Sequence, residues 1–141
     1  MEDASPPANA LRGEFDLVLE GEAYTLRPSY EAIIAFERGT GKTLLELARA
    51  SDALAISLEE SSVVVTECIR AYGRETQSSL QAVQLQRITE MVYEAGLVEV
   101  VARLGVILWM AVSGGCAASG KAKTTGTTNQ TTETPVVNSQ E

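Results

Sequence analysis

Residues Glu37 to Glu46 read ERGTGKTLLE, and Gly41-Lys42-Thr43 at their centre is where phosphate chemistry would sit. A phosphate loop works because a strand delivers the chain to a glycine-rich turn. The backbone N–H groups of that turn wrap the phosphates before a helix begins. The pattern requires glycine five positions before Gly41, and that position holds Phe36. The preceding SYEAIIAFER has helical spacing, not that of a buried strand. Magnesium would need an acidic residue at the end of an apolar strand. The nearest match, Glu67 after SVVVT, lies in a helical pattern. A plain turn accounts for the same residues. Gly39 ends one helix in the left-handed conformation, Thr40 or Gly41 starts the next, Lys42 is solvated, and Leu44 and Leu45 pack inward. Gly39, Thr40 and Gly41 are therefore expected to be a structural turn. The alternative is a small nucleotide-binding protein using Lys42 and Thr43.

Other catalytic constellations fare no better. The chain has no histidine, which excludes Ser-His-Asp and Cys-His units and imidazole-ligated metals. Glu59 and Glu60 read as carboxylates in a helix first turn, favoured by the helix dipole. Cys68 stands among apolar neighbours as a core thiol, and Cys116 lies far away in unlike surroundings. Neither a disulfide framework nor a zinc site is expected, and a reducing cytoplasm suits both thiols. The expectation is a protein that is not an enzyme, with no cofactor and no metal.

The elements that would position any site follow from periodicity. The 141 residues are 45% apolar with a formal charge of −8, which suits one small domain plus some unstructured chain. Residues 1–13, acidic and rich in Pro and Ala, read as a flexible N-terminal arm without the apolar core of a signal peptide. The domain is placed at 14–113. It opens with alternation at Phe15, Leu17 and Leu19, a turn at Glu20-Gly21-Glu22 and a second run from Ala23 to Arg27, which together make a β-hairpin. Ser29 caps a helix from Tyr30, with Ile33, Ile34 and Phe36 inward. A second helix runs from Lys42 to Ala50 with Leu44, Leu45 and Ala48 inward. Ser57-Leu58-Glu59-Glu60 is a capping box starting a third, which Gly73 closes. A fourth spans Ser79 to Ala95 and breaks at Gly96. A fifth runs from Leu97 to Val112, with Glu99 and Arg103 spaced to pair. The fold class is thus mainly α: an N-terminal β-hairpin, then about five short-to-medium helices. From Gly114 the composition collapses to Gly, Ser and Thr, so 114–141 reads as a disordered C-terminal tail.

Charge and length bound the partners. An acidic chain is poorly suited to nucleic acid, and Arg38, Lys42 and Arg49 are offset by Glu31, Glu37, Glu46 and Asp52. The run Val106 to Val112 is far shorter than the roughly 20 residues of a membrane-spanning helix, so no membrane contact is expected. Its helix is nevertheless apolar all round, and such a helix is buried or binds something. Leu104, Ile107, Leu108, Trp109 and Met110 are the candidate partner-binding residues. The competing readings are core and a contact within a homo-oligomer.

Residues 12 to 50, RGEFDLVLEGEAYTLRPSYEAIIAFERGTGKTLLELARA, resemble the tail assembly chaperones of siphophages and gene transfer agents. The shared features are the hairpin ending in Tyr24-Thr-Leu-Arg-Pro28, an alanine-rich helix and FERGTGKTLLELA. YEAGLVEVVARL, from Tyr93 to Leu104, looks like that family's closing helix. The resemblance implies a non-catalytic protein that coats and solubilises the tape measure protein during tail morphogenesis. It also implies help in recruiting the tail tube protein. Such a protein acts in the host cytoplasm and is absent from the mature particle. In that family a ribosomal frameshift often appends a longer extension, and the tail here would make this chain either the short product or a member that lacks the extended form. The rival within the same setting is a structural tail or virion component.

Overall fold

A computed structural model describes residues 15–123. The expected arm at 1–13 and the tail beyond Lys123 lie outside the described residues. Among those described, a two-stranded antiparallel hairpin precedes five α-helices. Strand β1 (Phe15–Leu19) pairs with β2 (Glu22–Leu26), Leu19 opposite Glu22 and Phe15 opposite Leu26. Glu20 and Gly21 both take positive φ, 53° and 78°. Those angles make the tight turn whose twist matches the two strands. Phe15, Leu17 and Leu19 all point into the core, while Val18 faces solvent.

Helix α1 (Tyr30–Thr40) begins where Ser29 Oγ accepts from the Ala32 N–H at 3.1 Å. Helix α2 (Leu44–Asp52) and helix α3 (Leu58–Thr76) each start on a capping box, Thr43 with Glu46 and Ser57 with Glu60. Helix α4 (Leu85–Ala95) and helix α5 (Leu97–Val112) meet at Gly96 with a bend of 111°. Helix α3 is the centre of the molecule: α1, α4 and β2 all pack on it. Its small and β-branched residues Ser61, Ser62, Val63, Val64, Val65 and Thr66 are consecutively buried. Ser61 and Ser62 turn their hydroxyls onto the Leu58 carbonyl, which meets those two buried donors. On the far side α2 lies along α5.

Several boundaries differ from expectation. Gly39 lies inside α1, facing Val63, and the left-handed cap is Gly41. Thr43, rather than Thr40 or Gly41, caps α2, because its hydroxyl and the Glu46 carboxylate satisfy each other's backbone donors. Ile34 and Leu45 are partly exposed, and Leu47 takes the buried place beside Ala48. Gly73 does not close α3, which continues to Thr76 and ends on left-handed Gln77. A Cβ at Gly73 would collide with the Leu80–Gln81 backbone, so the residue serves packing. The expected fourth helix is split. Ser79–Ala82 form a 3₁₀ turn, and α4 starts afresh at Leu85. Arg70 holds the break by donating from Nε and Nη2 to the Val83 carbonyl, at 3.1 and 2.8 Å.

The largest correction concerns the segment 114–123. It was expected to be disordered, yet it folds back on the domain. Cys116 bridges to Ala122, and the Ala118 carbonyl accepts from the Tyr30 N–H at 3.1 Å. Lys121 Nζ stands 3.4 Å from the Glu75 carboxylate. Gly, Ala and Ser provide little apolar area, but here their small size admits the backbone itself to a groove beside Pro28.

Candidate partner-binding site

The GTGKT turn is a helix–helix connection. Helix α1, not a strand, feeds it, and the Gly41 N–H donates to the Glu37 carbonyl at 2.9 Å. The amides that would face a phosphate at the start of α2 already have carboxylate partners. Glu37 Oε2 accepts from the Leu44 N–H at 2.9 Å, and Glu46 Oε1 accepts from the Thr43 N–H at 2.8 Å. An incoming anion would have to displace two like charges. Lys42 Nζ is committed as well, to Glu60 Oε2 at 2.8 Å. That hydrogen bond raises the Lys42 amine above its ordinary value and, with the Ser57 N–H, holds Glu60 below the usual carboxylate range.

The thiols sit in comparably structural surroundings. Cys68 is fully buried and burial pushes its thiol far up, while half-buried Cys116 moves in the same direction for the same reason. A neutral thiol is a poor nucleophile and a poor ligand. Among the described residues no group of three His, Cys, Asp or Glu side chains is placed to hold a metal ion.

The five candidates on α5 divide. Leu104, Ile107 and Leu108 are at most 1% exposed and belong to the core. Burying each stabilises the fold by roughly 2 kcal/mol. In this fold they fill the core, the competing reading for these three, and present no exposed surface of their own. Trp109 and Met110 are partly buried, and the Trp109 indole N–H donates to Asp52 Oδ1 at 3.0 Å, tying α5 to the end of α2. The apolar side chains that α5 does present are Val98 and Val106. Arg103 turns away from Glu99 and donates from Nε to the Asp16 carbonyl at 2.8 Å.

Two of the open depressions among the described residues are lined by exposed apolar side chains of β1, α4 or α5. One, about 550 Å³, runs between the hairpin and α5 and includes Asp16, Val18, Ala23, Glu99, Arg103 and Val106. The other, about 510 Å³, lies between the first turn of α3 and the outer face of α4, lined by Leu58, Glu59, Leu85, Thr89, Glu90 and Tyr93. Tyr93 is 73% exposed, the most solvent-accessible large apolar side chain described. Ile88, Met91 and Val92 on the other face of α4 are buried in the core, and no residue of this exposed face was singled out from the sequence. The available signal was the second stripe Leu85, Thr89, Tyr93, spaced by four residues.

No described helix is long and apolar enough by itself to cross a membrane; α4 and α5 together have that length and composition but are bent by 111° at Gly96. Compared with known proteins, the chain matches no family model, no curated protein and no solved structure.

Proposed function

We propose that this chain is a non-catalytic assembly chaperone for a phage-type tail. It coats the apolar tape measure protein, keeps it in solution while the tail is built, and helps bring tail tube subunits to it. It works in the host cytoplasm and leaves before the particle is complete.

The observation that carries this reading is a pairing of surfaces. A net-acidic helical body displays open depressions with apolar lining, and Lys42, Glu46, Glu60 and Cys68 are held in caps, an ion pair and core. An acidic exterior keeps a coated client apart from its neighbours, and the two depressions are where apolar side chains of a client would seat. The resemblance of residues 12–50 and 93–104 to tail assembly chaperones names the class of client.

Co-expression supplies the test. A long apolar helical protein encoded beside this gene is expected to be insoluble alone and soluble with this chain, and to copurify with it. Mass spectrometry of purified particles is expected to find this chain absent or far below the level of tube subunits. Stoichiometric retention in particles would make it a structural component and overturn the proposal.

A further inference from the structure

We propose that the trough between α3 and α4 docks an apolar helix of a partner protein whose flanks carry lysine or arginine. The inference deepens the chaperone reading by naming the surface and the chemistry of the client. It rests on that reading for the client's identity alone.

The shape comes first. On α4 the lining positions are Leu85, Gln86, Thr89, Glu90 and Tyr93, one face of a helix over about 12 Å. Leu58 and Glu59, in the first turn of α3, form the opposite wall. Both walls are helical and neither offers a strand edge, so an added β-strand would find no ladder to join. A helix laid along the trough, with anchors spaced three and four residues apart, is the mode of recognition that such walls serve. The depression beside the hairpin differs. There β1 has a free edge, and Arg103 already occupies the Asp16 carbonyl on it.

Charge then selects the partner. The trough is lined by Glu59 and Glu90, and among the described residues no lysine or arginine lines it. Glu90 has a neighbour in Arg87, 3.5 Å away and well exposed. Glu59 is in no ion pair among the described residues. Leu58, Leu85 and Tyr93 make the apolar floor, and Tyr93 combines an apolar ring with a polar tip in the way that favours interface anchors. An apolar helix with acidic flanks would bring like charges together at the rim. One with basic flanks gains at both the floor and the rim.

The test uses the full chain and two labelled synthetic helical peptides of about 18 residues, one with a Leu stripe flanked by lysines, the other with glutamates replacing those lysines. Anisotropy is read with wild type, Tyr93→Asp and Val106→Asp. Both variants add one negative charge at an exposed position, so non-specific attraction of a cationic peptide would rise equally in each. Expected are binding of the lysine peptide alone, weakening by added salt, and about a tenfold loss in Tyr93→Asp with none in Val106→Asp. Circular dichroism checks that each variant keeps its helices. Equal binding of the two peptides, equal response of the two variants, or loss confined to Val106→Asp overturns the proposal. Sedimentation covers the remaining occupant: if Tyr93→Asp turns a dimer into a monomer, the trough is a contact between copies and the proposal fails. Failure here leaves the chaperone reading standing, because copurification with the client is measured separately.

Discussion

Two segments of this chain pair a glycine with a lysine, Gly41-Lys42 in the turn after α1 and Gly120-Lys121 in the segment folded back beyond α5. Both glycines take positive φ, 74° and 93°. Both lysines reach a glutamate of α3, Lys42 to Glu60 and Lys121 to Glu75. The first segment has the look of a ligand loop and is a self-contained cap. The second has the look of disorder and is a docked strap. The difference lies in what surrounds the glycine. A Cβ on Gly41 would meet nothing within 4 Å, whereas one on Gly120 would lie 2.6 to 2.8 Å from backbone atoms of Arg27, Pro28 and Ser29. Gly41 is needed for its dihedral alone. Gly120 is needed for its dihedral and for the space a side chain would fill.

Substituting Gly120 is the strongest way to expose that contrast. Gly120→Ala is expected to undock the strap, at a cost of about 2–3 kcal/mol from backbone strain and steric conflict together. Hydrogen exchange reads the result directly, because the Tyr30 N–H donates to the Ala118 carbonyl and would lose its protection. Unchanged protection at Tyr30 would mean that the strap does not rest on this contact.

Gly41→Ala should cost less, about 1 kcal/mol, since only the left-handed conformation is penalised and the methyl points into open space. Thermal unfolding measures it, and Tyr30 should stay protected. If the two alanine variants were equally destabilised, the distinction between a local cap and a docked strap would be lost.

The glutamates sharpen the comparison with pH. Burial alone would raise the Glu75 carboxyl, but the hydrogen bond and charge of Arg27, 2.9 Å away, and then those of Lys121 outweigh it and hold the group below its ordinary value. A carboxylate depressed in the folded state contributes stability that is present above its unfolded value, about pH 4.3, and lost as pH falls through the folded one. Acid should therefore loosen the strap from roughly pH 4 downward. Glu75→Gln is expected to cost roughly half a kcal/mol at neutral pH, as for other partly solvated ion pairs, and to flatten that acid limb. Urea unfolding at a series of pH values checks it, and a Glu75→Gln curve that still falls as steeply as wild type would exclude Glu75 as the cause.

Features written in adjacent residues were legible in advance. The hairpin shows in alternation around Glu20-Gly21, the Ser57–Glu60 box marks the start of α3, and Gly96 divides α4 from α5. Features made by residues distant in sequence were not. Gly39 and Gly73 look like helix stops, yet each faces another element, Val63 and the Leu80–Gln81 backbone, and the helix runs through them. The break at Val83 depends on Arg70 from another helix. The strap was invisible because its composition argues from buried apolar area, while its docking uses backbone hydrogen bonds and the absence of side chains. The exposed face of α4 was passed over for a related reason. The most apolar helix, α5, drew attention, and hydrophobicity that intense is met by the core, whereas Leu85 and Tyr93 on a mixed face stay outside.

Lys42→Ala carries the smallest expected effect and tests the remaining claim of the GTGKT sequence. In a phosphate loop that lysine contacts the phosphates, and its removal abolishes nucleotide binding. Here it is a surface partner of Glu60, and such pairs contribute little because solvent screens them. Unfolding curves of Lys42→Ala and wild type should superimpose. Glu60 keeps its Ser57 N–H partner after the change, so the start of α3 should stay intact. Labelled ATP and GTP with magnesium should bind neither protein, since Glu37 and Glu46 already hold the amides at the start of α2. A micromolar affinity lost in Lys42→Ala would show those carboxylates yielding to phosphate, and would reopen the turn as a ligand site.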